Sequence, residues 1–321
     1  MGYDDLKVLV RADASVDIGM GHRVRCQALI HAFKVLGWQC QFVVQRRYDA
    51  FASPEDEFIE TESEFWQLAE QVDLVILDHY GYSADDIATL YEHQANLLVL
   101  DDMNDRGDFP AKWLLNPLHQ TYSKSIKFPL RPVFLQQNNL AVTPEKLLIT
   151  LGGTDPLALT LPILKALLTS GFPAKYIQVL LGASAKNADR VLSFCEENNI
   201  YVEQGLSDVT PLMKQAKMAI SAAGGTLFEL ACLGVPTVFA QVADNQTCSL
   251  EQYVPLGWCR SVRFDNVSEE VRRHRIDQLI EELNGRWLDL EWQKKARKTA
   301  QGLVDGAGAE RVAKAIDAYF S

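Results

Sequence analysis

Short apolar, β-branched runs alternate with longer stretches of helical periodicity, and this rhythm occurs in two separate blocks. The first block holds Lys7–Val10, Gln41–Val44, Leu74–Leu77, Leu97–Leu100 and Trp113–Leu115. The second holds Lys146–Thr150, Ile177–Leu181, Met218–Ser221 and Thr237–Ala240. Continuous apolar character without alternation marks strands buried on both faces, as in a parallel sheet. Helical stretches separate the strands. His22–Leu36 aligns Leu29, Ala32, Phe33 and Leu36 on one stripe, and Gly37 stops it. Leu159–Leu168, Asn187–Asn198 and Leu227–Leu233 do the same later. Two such blocks predict an α/β protein of two doubly wound domains facing each other. The predicted domains are residues 1–140 and 141–303, with Thr121–Thr143 as the linker region. A helical tail, broken by Gly306 and Gly308, ends in a segment 304–321 expected to pack back toward the first domain.

Charge narrows the partners. A net charge of −11 argues against nucleic acid or an anionic membrane as the main partner, because either rewards a basic surface. A small anionic ligand stays open, since a few amides and cations hold a diphosphate. No apolar run approaches the roughly 18 residues of a membrane span. The six cysteines are scattered, with no CxxC and no zinc-like pairing with histidine. Reduced thiols in a cytoplasmic protein are the expectation, with most cysteines as core filler.

In open parallel sheets, ligands bind beyond the C-terminal strand ends. The first such loop runs Ala12–Gly21 and includes Asp13, Gly19 and Gly21, with His22 where a helix begins. A histidine there feels the positive helix end, which keeps a neutral ring available as a base. The alternative is a helix-start residue with no chemistry. Gly19-x-Gly21 also invites a dinucleotide reading, but Val24 replaces the third glycine, and the second strand ends in Gln45-Arg46-Arg47 rather than an acid, which disfavours NAD and leaves NADP open because arginines can receive its 2′-phosphate. Further on stand Asp78-His79-Tyr80-Gly81 and Asp101-Asp102. The paired carboxylates lack an evident third metal ligand, so capping plus a substrate hydrogen bond is the expectation.

The second block offers Gly152-Gly153-Thr154-Asp155 and then Ser221–Glu229. Glycines there let the amides of Gly224, Gly225 and Thr226 meet a diphosphate at a helix start. Glu229 lies about one turn further, placed for ribose hydroxyls. Gly234-Val235-Pro236 and Asp244-Asn245-Gln246 complete the pattern.

Across nearly the whole chain these motifs resemble the UDP-sugar hydrolases of pseudaminic acid biosynthesis, relatives of the glycosyltransferases with two facing Rossmann-like domains, the GT-B fold. The segments that carry the resemblance are Arg11–Ser15, Gly19–His22, Arg25-Cys26, Asp78–Gly81, Asp101-Asp102, Leu115-Asn116, Gly152–Asp155, Asp244–Gln246 and Val304–Ala309. Ser221–Glu229 and Gly234–Pro236 are shared more widely, including with the glycosyltransferase that completes the peptidoglycan lipid precursor. The resemblance implies inverting hydrolysis of UDP-2,4-diacetamido-2,4,6-trideoxy-β-L-altropyranose without metal or cofactor, with His22 as general base. It implies Tyr80 and Asn245 near the sugar. The expected substrate-binding set is Asp13, Gly21, Tyr80, Asp101, Asn245 and Gln246; the expected UDP-binding set is Gly153, Gly224, Gly225, Thr226 and Glu229. A UDP-sugar-dependent glycosyltransferase of the same fold is the nearest alternative, because one base serves water or an acceptor hydroxyl. A non-catalytic nucleotide-sugar binder is another.

Overall fold

The computed structural model describes residues 6–15, 18–116 and 143–321. The predicted linker lies, except for Thr143, outside the described residues. Two units divide the chain. One takes in the described residues up to 116 together with Gly306–Ser321, and the other runs from 143 to Asp305.

In the first unit β1 (Lys7–Arg11) leads into α1 (Gly21–Val35), then β2 (Gln39–Gln45), β3 (Glu57–Ile59), α2 (Glu62–Ala69), β4 (Leu74–Leu77), α3 (Ala84–His93), β5 (Leu97–Leu100) and β6 (Trp113–Leu115). All six strands pair in parallel in the order β3-β2-β1-β4-β5-β6. Strand order reverses at β1, so the loops after β1 and β4 emerge side by side at the switch point where such sheets place their ligands. Alternate residues serve opposite faces. Val8 and Val10 pack with Leu29 and Phe33 of α1, whereas Leu9 packs with Val75 and Leu77 in a cluster with Phe65 of α2 and Ile87 of α3.

The second unit repeats the plan. It contains β7 (Lys146–Thr150), α4 (Thr160–Thr169), β8 (Ile177–Leu181), α5 (Ala188–Glu197), β9 (Tyr201–Gln204), α6 (Thr210–Gln215), β10 (Ala216–Ala222), α7 (Gly225–Leu233), β11 (Thr237–Gln241), α8 (Thr247–Tyr253), β12 (Cys259–Arg263), α9 (Glu269–Trp287) and α10 (Leu290–Leu303). Its parallel sheet has the order β12-β11-β10-β7-β8-β9. The last helix, α11 (Gly308–Phe320), adds Val312, Ala313 and Ile316 to the core cluster of α1 in the first unit, and the Trp38 indole donates a 2.7 Å hydrogen bond to Asp317. The helix that carries His22 is thereby buttressed by the end of the chain.

β3, β9 and β12 lie outside the predicted strands, and each sits at a sheet edge. Edge strands are half-covered, so YVEQ of β9 and CRSVR of β12 mix polar with apolar residues and lack the continuous apolar run that marks the inner strands. The cysteines Cys26, Cys195 and Cys259 are buried, and burial pushes the Cys195 thiol up to about 11, as befits filler rather than a nucleophile. Among the described residues no helix is long and apolar enough to cross a membrane.

Candidate active site

Gly19 adopts φ +80°, a left-handed conformation that favours glycine, and its amide donates to the Ser15 carbonyl at 2.8 Å. This turn delivers the chain into α1, whose first turn carries Gly21, exposed, and His22, buried at 6%. One helical turn later Arg25 lies on the same face.

His22 Nδ1 is 2.6 Å from Asp78 Oδ1, at the end of β4. Burial opposes ionisation of Asp78, but the Arg25 guanidinium and His22 outweigh it and hold the carboxyl far below the usual carboxylate range. An ionised oxygen that close requires the ring proton on Nδ1. Arg25 Nη2 also approaches Nδ1, at 3.3 Å, but the shorter contact to the carboxylate decides the tautomer. Nε2 then carries the lone pair, and among the described residues nothing hydrogen-bonds it.

Arg25 holds two carboxylates. Nε and Nη2 donate to Asp78, each at 2.5 Å, while Nη1 donates to Asp102 at 2.9 Å and Nη2 lies 2.8 Å from its other oxygen. The Tyr80 hydroxyl donates to Asp102 at 2.7 Å, and its ring meets the His22 ring edge-on at 4.2 Å between centroids. Although 39% of Tyr80 is exposed, its hydroxyl is turned inward onto Asp102, and desolvation there together with the carboxylate charge pushes the phenol above its ordinary value. It is a hydrogen-bonding group, not a proton donor of useful acidity.

Asp13 is 2% exposed and turned inward. Its oxygens accept from Arg11 at 2.7 and 2.9 Å and from the Gln45 amide at 3.0 Å, with His79 Nε2 at 3.0 Å. Asp101 is likewise buried, 3.7 Å from Arg106, and burial raises its carboxyl above the ordinary value against the pull of that cation. Both were expected to bind substrate from their place at strand ends. The Asp13 oxygens are taken up by internal partners, whereas Asp101 Oδ1 is buried with no hydrogen-bond partner among the described residues. Glu62 and Arg106 escaped sequence reasoning. Glu62 accepts from Arg11 at 2.6 Å and from Gln45, and Arg106 donates to the His79 carbonyl at 2.7 Å. No local motif marks either.

In the second unit β10 runs into Gly224, the cap of α7, which has no side-chain cap. Gly224 is exposed and Gly225 and Thr226 half-buried, whereas Ser221 before them and Leu227 after them are buried. The first amides of a helix lack intrahelical partners, so this turn presents donors and the positive end of the helix dipole. Gln246 lies close by. Its Oε1 accepts the Val242 amide at 3.0 Å, which turns Nε2 toward Gly224, 4.0 Å from where a Cβ would stand. Asn245 is half-buried beside it in the 3₁₀ turn Asp244–Gln246, and Glu229 is buried within α7. Gly153 occupies the parallel turn after β7, and a Cβ on Gly182 would come within 2.1 Å of its carbonyl oxygen. Asp155 accepts the Leu159 and Thr160 amides at 2.9 and 3.0 Å, so it orders the start of α4.

No protein-family model matches the chain. The spore coat polysaccharide biosynthesis protein SpsG of Bacillus subtilis is 23% identical over 344 residues, 96% of each chain. A Helicobacter pylori protein named pseudaminic acid cytidylyltransferase and UDP-2,4-diacetamido-2,4,6-trideoxy-β-L-altropyranose hydrolase is 22% identical, over 85% of this chain and 52% of its own length. The crystal structure of MurG from Acinetobacter baumannii superposes with a TM-score of 0.66 at 17% identity, covering 98% of this chain and 99% of its own. The MnaA–UDP structure of Staphylococcus aureus gives 0.62 at 12% identity, covering 98% and 97%. The fold is GT-B. Each GT-B unit here carries its polar residues at C-terminal strand ends, as that fold requires of a binding site.

Proposed function

We propose that this chain is a nucleotide-sugar enzyme, and more finely that it hydrolyses UDP-2,4-diacetamido-2,4,6-trideoxy-β-L-altropyranose to UDP and the free sugar with inversion. The observation that carries the reading is His22, its Nδ1 proton directed at ionised Asp78 and its Nε2 lone pair uncommitted among the described residues. Support for the substrate class comes from the named activity of the Helicobacter pylori relative and from the UDP in the MnaA structure.

In the proposed reaction a water oxygen attacks the anomeric carbon while the bond from that carbon to the diphosphate oxygen breaks. UDP leaves with the electron pair, and the water proton passes to His22 Nε2. Asp78 stabilises the imidazolium that forms, the role a carboxylate plays beside any histidine base. UDP is already a good leaving group, so amides and a helix dipole suffice for its charge. Those are assigned to Gly153, Gly224, Gly225 and Thr226, and the ribose to Glu229. Tyr80, Gly21, Asp101, Asn245 and Gln246 are assigned to the sugar; Asp13 is withdrawn from that set because its oxygens are taken by Arg11, the Gln45 amide and His79. Incubation with the UDP-sugar tests the reading. UDP released without acceptor supports a hydrolase, and a protein that binds UDP yet releases none is a binder.

A transferase reading draws its own support from the glycotransferase of kitacinnamycin, whose structure superposes with a TM-score of 0.56 at 13% identity. In that reading an acceptor hydroxyl replaces water at the same base. UDP release only when an acceptor is added would decide for it.

Glu229→Ala is expected to weaken UDP and UDP-sugar together, by roughly 1–3 kcal/mol for a lost charged hydrogen bond. Calorimetric titration with UDP reads this directly; unchanged affinity would place the ribose elsewhere. Metal dependence is the second check. A carboxylate cluster near a diphosphate suggests Mg²⁺, which uses one or two carboxylates plus phosphate oxygens. Here Asp78 and Asp102 share Arg25, and the diphosphate is assigned to glycine amides. Turnover in excess EDTA should therefore equal turnover in Mg²⁺. Activity lost in EDTA and restored by metal would move Asp101 and Asp102 into a metal site.

A further inference from the structure

Side chains along the turn after β4 alternate between two clusters of the same make-up, each built on a buried arginine. In one, Arg25 holds Asp78 and Asp102, with His22 on the first carboxylate and the Tyr80 hydroxyl on the second. In the other, Arg11 holds Asp13 and Glu62, with His79 on the first and the Tyr82 hydroxyl on the second. Asp78 and Tyr80 thus belong to the first cluster, and His79 and Tyr82, interleaved with them, to the other.

The two histidines differ in what their second nitrogen does. His79 Nδ1 accepts the Gly81 amide at 3.0 Å, which places the ring proton on Nε2, 3.0 Å from Asp13 Oδ2. Both nitrogens are occupied, so the ring has no lone pair left for a water proton. It bends over Gly81 so closely that a Cβ there would stand 2.8 Å from His79 Cε1. The His79 carbonyl accepts from Arg106 at 2.7 Å. Both ring nitrogens and the carbonyl of this residue pin the turn that aims Asp78 at His22 and Tyr80 at Asp102.

We propose that His79, anchored on Asp13 and folded onto Gly81, is a positioning residue that sets the orientation and tautomer of His22. The proposal rests on the reading of His22 as the base. Without the clamp the turn relaxes, Asp78 leaves its line to Nδ1, and the base loses the group that keeps its proton on the far nitrogen.

The experiment compares His79→Leu with His79→Gln in the full chain. Glutamine keeps a donor for Asp13 near the Nε2 position; leucine keeps only bulk. His79→Leu is expected to lower kcat ~10- to 100-fold with KM little changed, the size of effect that misplacement of a catalytic group produces, and His79→Gln to recover most of it. In ¹⁵N spectra of the imidazoles, the wild type is expected to show His22 protonated on Nδ1, as is His79→Gln, while His79→Leu populates both tautomers. Should His79→Leu not fold, Gly81→Ala, which drives a methyl against the His79 ring and removes no polar group, is expected to show the same loss of the Nδ1 tautomer. A wild-type His22 spectrum in His79→Leu, or in Gly81→Ala if leucine does not fold, overturns the proposal. So does a His79→Gln protein as inactive as His79→Leu, which would make His79 a proton-transfer group. If the wild type releases no UDP, the His22 spectrum still decides: altered tautomers uphold the clamp while the hydrolase reading falls.

Discussion

His22→Asn is expected to lower kcat at least ~10²-fold, a loss of about 2.7 kcal/mol of transition-state stabilisation, while UDP affinity stays within a factor of about two. Asparagine retains an N–H that can donate to Asp78, so the buried carboxylate keeps a partner and the fold is spared. What disappears is the basic Nε2. UDP affinity should survive because its binding groups are assigned to Gly224–Thr226 and Glu229 in the second unit. Steady-state kinetics on UDP release, paired with a UDP titration, separates the two effects. A variant that keeps most of its turnover removes His22 from the mechanism; one that loses UDP binding and turnover alike makes it a binding residue.

Arg25→Leu should cost stability on a larger scale than any surface change. The guanidinium is buried and shared between Asp78 and Asp102, whose side chains are 0% and 1% exposed. Removing one partner of a buried ion pair typically costs ~3–5 kcal/mol, because the remaining charges are stranded in low dielectric. The variant can relieve part of this by protonating Asp78, and that gives a pH signature. In the wild type the folded carboxyl is lowered, so its contribution is present above the unfolded value of about 3.9 and is lost as pH falls below it. In the variant, burial without the cation raises the same carboxyl, so folding is favoured as pH falls. The gap between the two proteins should therefore be largest near neutral pH and narrow on acidification. Urea unfolding at several pH values measures it. A gap under about 0.5 kcal/mol at pH 7 would mean the cluster is not the support its burial indicates.

The inner strands were legible because burial on both faces demands a mostly apolar run, and Leu74–Leu77, Leu97–Leu100, Lys146–Thr150 and Ile177–Leu181 form as predicted, residue for residue. The glycine turns were legible for an equally local reason. Gly19 and Gly152 take positive φ, and Gly224 opens α7, as their spacing from the preceding strands requires. The edge strands β3, β9 and β12 escaped notice because half-covered backbone imposes no such pattern; β6, also at an edge, was visible through its apolar Trp113–Leu115.

His22 itself was visible in the sequence, since a histidine at the first turn of a helix after Gly19-x-Gly21 is a local signal. Its partnership was not. Asp78 is 56 residues away and reaches Nδ1 only because β4 pairs with β1, bringing the two strand ends together. The inward turn of Asp13 is likewise a tertiary matter, since a carboxylate at a strand end reads the same whether it faces a ligand or Arg11. Sequence alone determined the α/β class, the two-block organisation and the loops in which polar chemistry gathers, all of which depend on periodicity and on glycine at short range. Which acid serves which histidine, and which histidine nitrogen no described residue bonds, was decided by strand order and burial, because a buried charge must find its partner in space and not along the chain.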